Sequence, residues 1–102
     1  MLYTFFLLDK PDAMVQRTEI RPEHKAYLAA KAEQIAFAGP LLSDDGKTMV
    51  GSLLVIDFPS RQEAQRWLAA EPFTQAGVYA STSIYAFTNL WPQKVGFPPV
   101  PT

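Results

Sequence analysis

Met49-Val50-Gly51-Ser52-Leu53-Leu54-Val55-Ile56-Asp57-Phe58 runs, across Pro59, straight into Ser60-Arg61-Gln62-Glu63. The first stretch is dense in branched apolar residues and reads as a strand. The second is a capping box, in which the Ser60 hydroxyl and the Glu63 carboxylate satisfy the first free N–H groups of a helix. Ala64, Trp67 and Leu68 then supply a buried stripe. Pro72 pushes Glu71 out of helical conformation, so the helix ends near Ala70. A strand that passes directly into a capped helix is half of a β-α-β unit.

The flanks complete the pattern. Upstream, Ser43-Asp44-Asp45-Gly46-Lys47 is hairpin-turn chemistry, because Asp-Gly supplies the positive φ such a turn needs. It joins the strand to a short extended piece, Leu41-Leu42. Downstream, Val78 to Thr88 reads as the last strand. At the start, Leu2 to Leu8 is a strand closed by the turn-like Asp9-Lys10-Pro11-Asp12. Residues 13–20 are mixed and read as a loop or an early helical turn. Pro22 suits the first turn of a helix, where its missing N–H costs nothing. The composition predicts a helix from there to Phe37, with His24, Tyr27, Leu28, Lys31 and Ile35 along one stripe and Gly39-Pro40 as its stop. The order β-α-β-β-α-β predicts a ferredoxin-like α+β fold, a four-stranded antiparallel sheet with both helices on one face.

The uncovered face of such a sheet should alternate apolar with polar residues if water meets it. Here Leu2, Phe6 and Leu8 oppose Tyr3, Phe5 and Leu7, and Leu53 and Val55 oppose Leu54 and Ile56. Two apolar faces predict a homodimer whose sheets pack together, a dimeric α+β barrel. The 102 residues form one domain over residues 1–90. Residues 91–102 carry four prolines and form an extended tail that drapes over the partner through Trp91 and Phe97.

Composition excludes several classes. A net charge of −1 argues against nucleic acid as a partner. No run approaches the ~20 apolar residues of a membrane span, and the N-terminus lacks the basic leader of a signal peptide. There is no cysteine, so disulfides, thiolate metal sites and cysteine nucleophiles are out, in keeping with a cytoplasmic protein. With one histidine besides, no metal site or other cofactor is expected. Asp44-Asp45-Gly46 lacks the later ligands of a calcium loop. Gly77 and Gly96 stand alone, and no phosphate loop is present.

The chemical lead is His24, in Arg21-Pro22-Glu23-His24. Histidine alone has an unperturbed pKa near neutral pH and so both takes and gives a proton there. Arg21 offers a fork for an anionic group, or an ion pair to Glu23. Ser52 has no nucleophile elbow around it and fits better as a pocket hydrogen-bonding group. Tyr27, Trp67 and Phe73 suit either an aromatic-friendly cavity or plain core.

Taken in order, several pieces resemble the YciI-like (YCII-related) family. They are the opening strand with Asp9-Lys10, Arg21-Pro22-Glu23-His24 with Tyr27-Leu28, and Ala38-Gly39-Pro40-Leu41. Gly51-Ser52-Leu53-Leu54-Val55, Glu63-Ala64 with Trp67, and Glu71-Pro72-Phe73 leading to Ala76-Gly77-Val78 follow. The resemblance covers residues 1–88. It implies the same dimeric barrel, and a His–Asp pair in a pocket. His24 matches the histidine, and Glu71 stands where the family usually carries Asp. One branch of the family removes chloride from a chlorinated hydroxyhydroquinone. The resemblance therefore implies a catalytic pair His24 and Glu71, and the residue chemistry adds Arg21, Tyr27, Ser52 and Phe73 as substrate-binding candidates. The expected function is a small cofactor-independent enzyme using His24 as general acid and base, in elimination or isomerisation. The alternative is a non-catalytic ligand-binding or regulatory dimer using the same cavity.

Overall fold

A computed structural model describes residues 1–92. The tail beyond Pro92, with its predicted anchor Phe97, lies outside the described residues. The elements are β1 (Leu2–Asp9), α1 (Met14–Ala29), β2 (Ile35–Leu42), β3 (Met49–Asp57), α2 (Arg61–Ala70), α3 (Pro72–Gln75) and β4 (Tyr79–Phe87). The four strands form one antiparallel sheet in the order β2-β3-β1-β4. This is the ferredoxin-like arrangement that the element order predicts.

Alternation along the strands sorts the side chains. Tyr3, Phe5 and Leu7 pair with Ile56, Leu54 and Ser52 of β3. All six are buried. The apolar ones pack with Ala64, Trp67, Leu68 and Phe73 from the helices into a single core. Phe5 and Phe58 both meet the Trp67 ring, at centroid distances of 5.5 and 5.8 Å. The opposite face carries Phe6, Phe37, Leu53, Val55, Tyr85 and Phe87, with no helix among the described residues over it. Phe6 of the central β1 and Phe37 of the edge strand β2 are each 42% exposed there and Tyr85 of the edge strand β4 63%, a large exposed aromatic surface on one face.

Two sequence expectations need correction. The first helix runs from Met14 to Ala29, not from Pro22 to Phe37. Pro22 lies inside it. Pro22 and Thr18 are both exposed, so the Thr18 carbonyl that the proline ring frees can meet water. Residues 14–20, in the stretch read as a loop or an early helical turn, form the first two turns of this helix, where Arg17 reaches back to Asp9 at the end of β1 in a buried ion pair. The second correction follows. After a short 3-10 turn (Ala32–Gln34), the chain enters β2, and Gly39-Pro40 lies within that strand rather than stopping a helix. Pairing with β3 outweighs local helix propensity. β2 is an edge strand, where a proline removes no needed ladder bond.

The remaining local signals read correctly. Ser60 Oγ accepts from the Glu63 N–H at 3.2 Å. The Glu63 carboxylate, however, pairs with Arg66 instead of reaching back to close the capping box. Gly46 takes φ 74° in the β2–β3 turn. The one-turn helix α3 went unread, though Glu71-Pro72 is its cap and first position.

Candidate active site

α1 crosses the sheet beside β2 and β3, and the space between them is a cavity of about 410 Å³. Such a volume suits a small molecule. Arg17, Arg21, His24 and Leu28 of α1 line one wall. Their spacing of four, three and four residues is one helical stripe. Ala38, Gly39 and Pro40 of β2, with Met49, Ser52 and Leu54 of β3, form the floor. Phe73 of α3 closes one end.

His24 and Glu71 meet, across 47 residues of chain, through Nδ1 and Oε1. Glu71 is fully buried, and the His24 side chain is 12% exposed. The second carboxylate oxygen, Oε2, accepts from the Thr74 N–H at 3.0 Å and from its hydroxyl at 3.4 Å. Glu71 therefore caps α3 and holds His24 at once, and so cannot swing away. The His24 ring stacks on Phe73, with centroids 3.9 Å apart and planes 12° apart. Stacking and the Nδ1 contact together fix the ring. Nε2 has no hydrogen-bond partner among the described residues, and His24 borders the cavity.

The other expected site residues divide. Ser52 is buried on the floor, and its Oγ accepts from Arg17 Nη2 at 2.7 Å. Phe73 and Arg21 line the cavity. Arg21 makes no ion pair among the described residues, with Glu23 or any other group. Tyr27 is not on the cavity wall. Its hydroxyl donates to the Trp67 carbonyl at 2.7 Å, and its ring packs on Trp67, so both belong to the core. Burial and the Glu71 charge hold the Tyr27 phenol above its ordinary pKa. The same two causes, burial first, raise Tyr79 further.

Sequence reasoning missed Arg17. It is 6% exposed and makes a two-point contact with Asp9, at 2.6 and 3.4 Å. It also donates to the Gly51 carbonyl at 2.7 Å and lies 4.8 Å from the centre of the Phe73 ring. Breaking a buried ion pair of this kind costs about 3–5 kcal/mol. The signal was present: Arg17 is in helical phase with Arg21, His24 and Leu28. It was hidden because the helix was started too late. No group of three or more His, Cys, Asp or Glu side chains converges as a metal site among the described residues.

The YCII-related domain family matches residues 1–88. The chain belongs to this family. Protein YciI of Escherichia coli is 32% identical over 98 residues, spanning 89% of this chain and all of its own length. The Shigella flexneri protein of that name matches equally. An uncharacterized Haemophilus influenzae protein is 31% identical over the same length. Among solved structures, 5-chloro-2-hydroxyhydroquinone dehydrochlorinase from Burkholderia phenoliruptrix, in complex with 2,5-dihydroxybenzoquinone, superposes with a TM-score of 0.81. It is 30% identical, and the match covers 86% of this chain and 94% of the neighbour. One solved structure of this shape thus belongs to a dehydrochlorinase in complex with a small ring compound. No helix among the described residues is long and apolar enough to cross a membrane.

Proposed function

We propose that this YCII-related protein is a cofactor-independent enzyme that moves a proton on a small enolisable or phenolic ring compound, by elimination or isomerisation. The observation that carries the reading is the His24–Glu71 contact. A buried carboxylate holds Nδ1, which leaves Nε2 as the proton-transfer atom beside a cavity. In the forward step Nε2 takes a proton from a C–H or O–H group conjugated with a carbonyl. The electron pair moves into the ring. It then leaves with a departing group such as chloride, or returns to a proton at another carbon. Arg21, Ser52 and Phe73 border the substrate in this reading, and Tyr27 supports the site from the core.

The working unit in this reading is a homodimer formed through the exposed apolar sheet face, with residues 1–90 as the domain and 91–102 as its tail. A cytoplasmic location agrees with the cysteine-free composition.

The test is turnover of 5-chloro-2-hydroxyhydroquinone and of unchlorinated enolisable acids, with and without chelator, by wild type and His24→Asn. The asparagine keeps an amide near Nδ1 for Glu71 and lacks Nε2. Loss of about 10²–10⁴-fold is expected. Activity that survives this change, or that dies with chelator, overturns the mechanism. Binding of 2,5-dihydroxybenzoquinone with no turnover of any compound favours a ligand-binding module.

A further inference from the structure

We infer that Met49 is an oxidative modification site, at which hydrogen peroxide makes one sulfoxide epimer whose oxygen is held by Arg17 Nη1 inside the cavity. The inference rests on the proton-transfer reading above only for the source of the oxidant.

Met49 differs from the other two methionines of the chain. Met1 and Met14 are 68% and 39% exposed, whereas Met49 is half-buried. Among the described residues its sulfur is the one that takes a hydrogen bond, from Arg17 Nη1 at 3.8 Å. Both Met49 and Arg17 border the cavity, so a molecule as small as peroxide can reach the sulfur from that side.

The guanidinium cannot turn away. Asp9, the Gly51 carbonyl and Ser52 Oγ engage Nε and Nη2, which fixes where Nη1 points. The partner of Nη1, a thioether, is a weak acceptor. Buried N–H donors are almost always met by oxygen. A sulfoxide supplies that oxygen without moving either residue. An S–O bond of about 1.5 Å and an N–H···O bond of about 2.8 Å span the 3.8 Å gap when they meet at the oxygen at about 120°. That angle lies close to a lone-pair direction of the acceptor. Sulfoxidation usually disrupts a packed site, because it puts a polar oxygen among apolar groups. Here it replaces a weak acceptor with a strong one.

In the reaction a sulfur lone pair attacks one peroxide oxygen. The S–O bond forms and the O–O bond breaks. The departing hydroxide takes the proton of the transferred oxygen and leaves as water. Sulfur is oxidised by two electrons and peroxide is reduced by two. Attack through the lone pair that faces Nη1 gives one epimer. Attack through the other gives the second, whose oxygen points away from Arg17. The fixed N–H therefore selects the product. A ring compound of the hydroquinone type generates the oxidant itself, passing two electrons and two protons to dioxygen and becoming a quinone. The change is reversible, since epimer-specific reductases return the thioether.

The test treats wild type with hydrogen peroxide, digests it, and exposes each methionine peptide separately to the two epimer-specific sulfoxide reductases. Met1 and Met14 should give both epimers in similar amounts. Met49 should favour one epimer by about tenfold or more. In oxidised protein carrying 15N-arginine, the Nη1 protons of Arg17 should exchange more slowly than before oxidation. Arg17→Lys removes the Nη1 donor and should erase the preference at Met49; the comparison with Met1 and Met14 within wild type holds even if that variant does not fold. Met49 still a thioether when Met14 is fully oxidised, both epimers in equal amounts at Met49 of wild type, or a preference that survives in folded Arg17→Lys overturns the inference. His24→Asn should oxidise at Met49 as wild type does, so failure of the acid–base reading shows in turnover alone.

Discussion

Glu71→Gln changes one atom in a side chain whose two oxygens are both committed. Oε1 faces His24 Nδ1, and Oε2 faces the Thr74 N–H and hydroxyl. An amide has one oxygen and one NH2 group, so it cannot serve both sides. The Thr74 N–H is a fixed donor and keeps the oxygen. The NH2 then faces Nδ1, which must become an acceptor. The ring proton moves to Nε2, and the neutral histidine loses its basic atom on the cavity side. In stability the change is small. Charge-assisted bonds give way to neutral ones, a loss of about 1 kcal/mol. Burying an amide in place of a charge offsets part of it. A Tm drop of at most about 4–8 °C is expected for a domain of this size. In turnover the change is large, about 10²–10⁴-fold in kcat. The assays are urea denaturation, steady-state kinetics and 15N shifts of the His24 ring, which report the tautomer. An unchanged Nδ1–H tautomer with wild-type kcat would refute the reasoning, whatever the loss in stability.

Three further outcomes follow from the same structure. Gly51→Ala drives a Cβ into the Leu7 carbonyl oxygen and to 3.1 Å from Leu41 Cδ1; because the first is backbone in a central strand, urea denaturation should show a loss of about 3 kcal/mol or more, and a near-neutral result would mean β1 and β3 are not so closely paired. The phenol of Tyr79 is raised above its ordinary value of 10.0, chiefly by burial and then by the Glu71 charge. Its contribution to stability is therefore complete below about pH 10 and declines above it, as only the unfolded chain ionises there. Tyrosinate absorbance from Tyr79 should appear together with loss of the far-UV circular dichroism, and earlier ionisation in a folded chain would contradict its burial. Sedimentation equilibrium should give about twice the 11.4 kDa chain mass, with Phe6→Lys shifting it toward monomer; a folded wild-type monomer would leave the exposed aromatic face without its proposed occupant.

What the chain decides by itself is local. Branched runs at Leu2–Asp9 and Met49–Asp57, the Ser60 cap and the Asp-Gly turn each act through neighbours a few residues away, and they suffice for the ferredoxin-like order. His24 and Glu71 stood out from sequence and resemblance, and the fold brings them into contact. What only the tertiary structure decides depends on partners distant along the chain. Residues 35–37, which the composition assigns to the end of a helix, become part of a strand because β3 offers them a ladder. α1 begins at Met14 because Arg17 is drawn to Asp9, and Pro22 is tolerated because water can reach the carbonyl it frees. That shift in the helix start carries Arg17 into the cavity wall. No local propensity reports it, because the stabilisation comes from an ion pair, a carbonyl and a hydroxyl contributed by two strands.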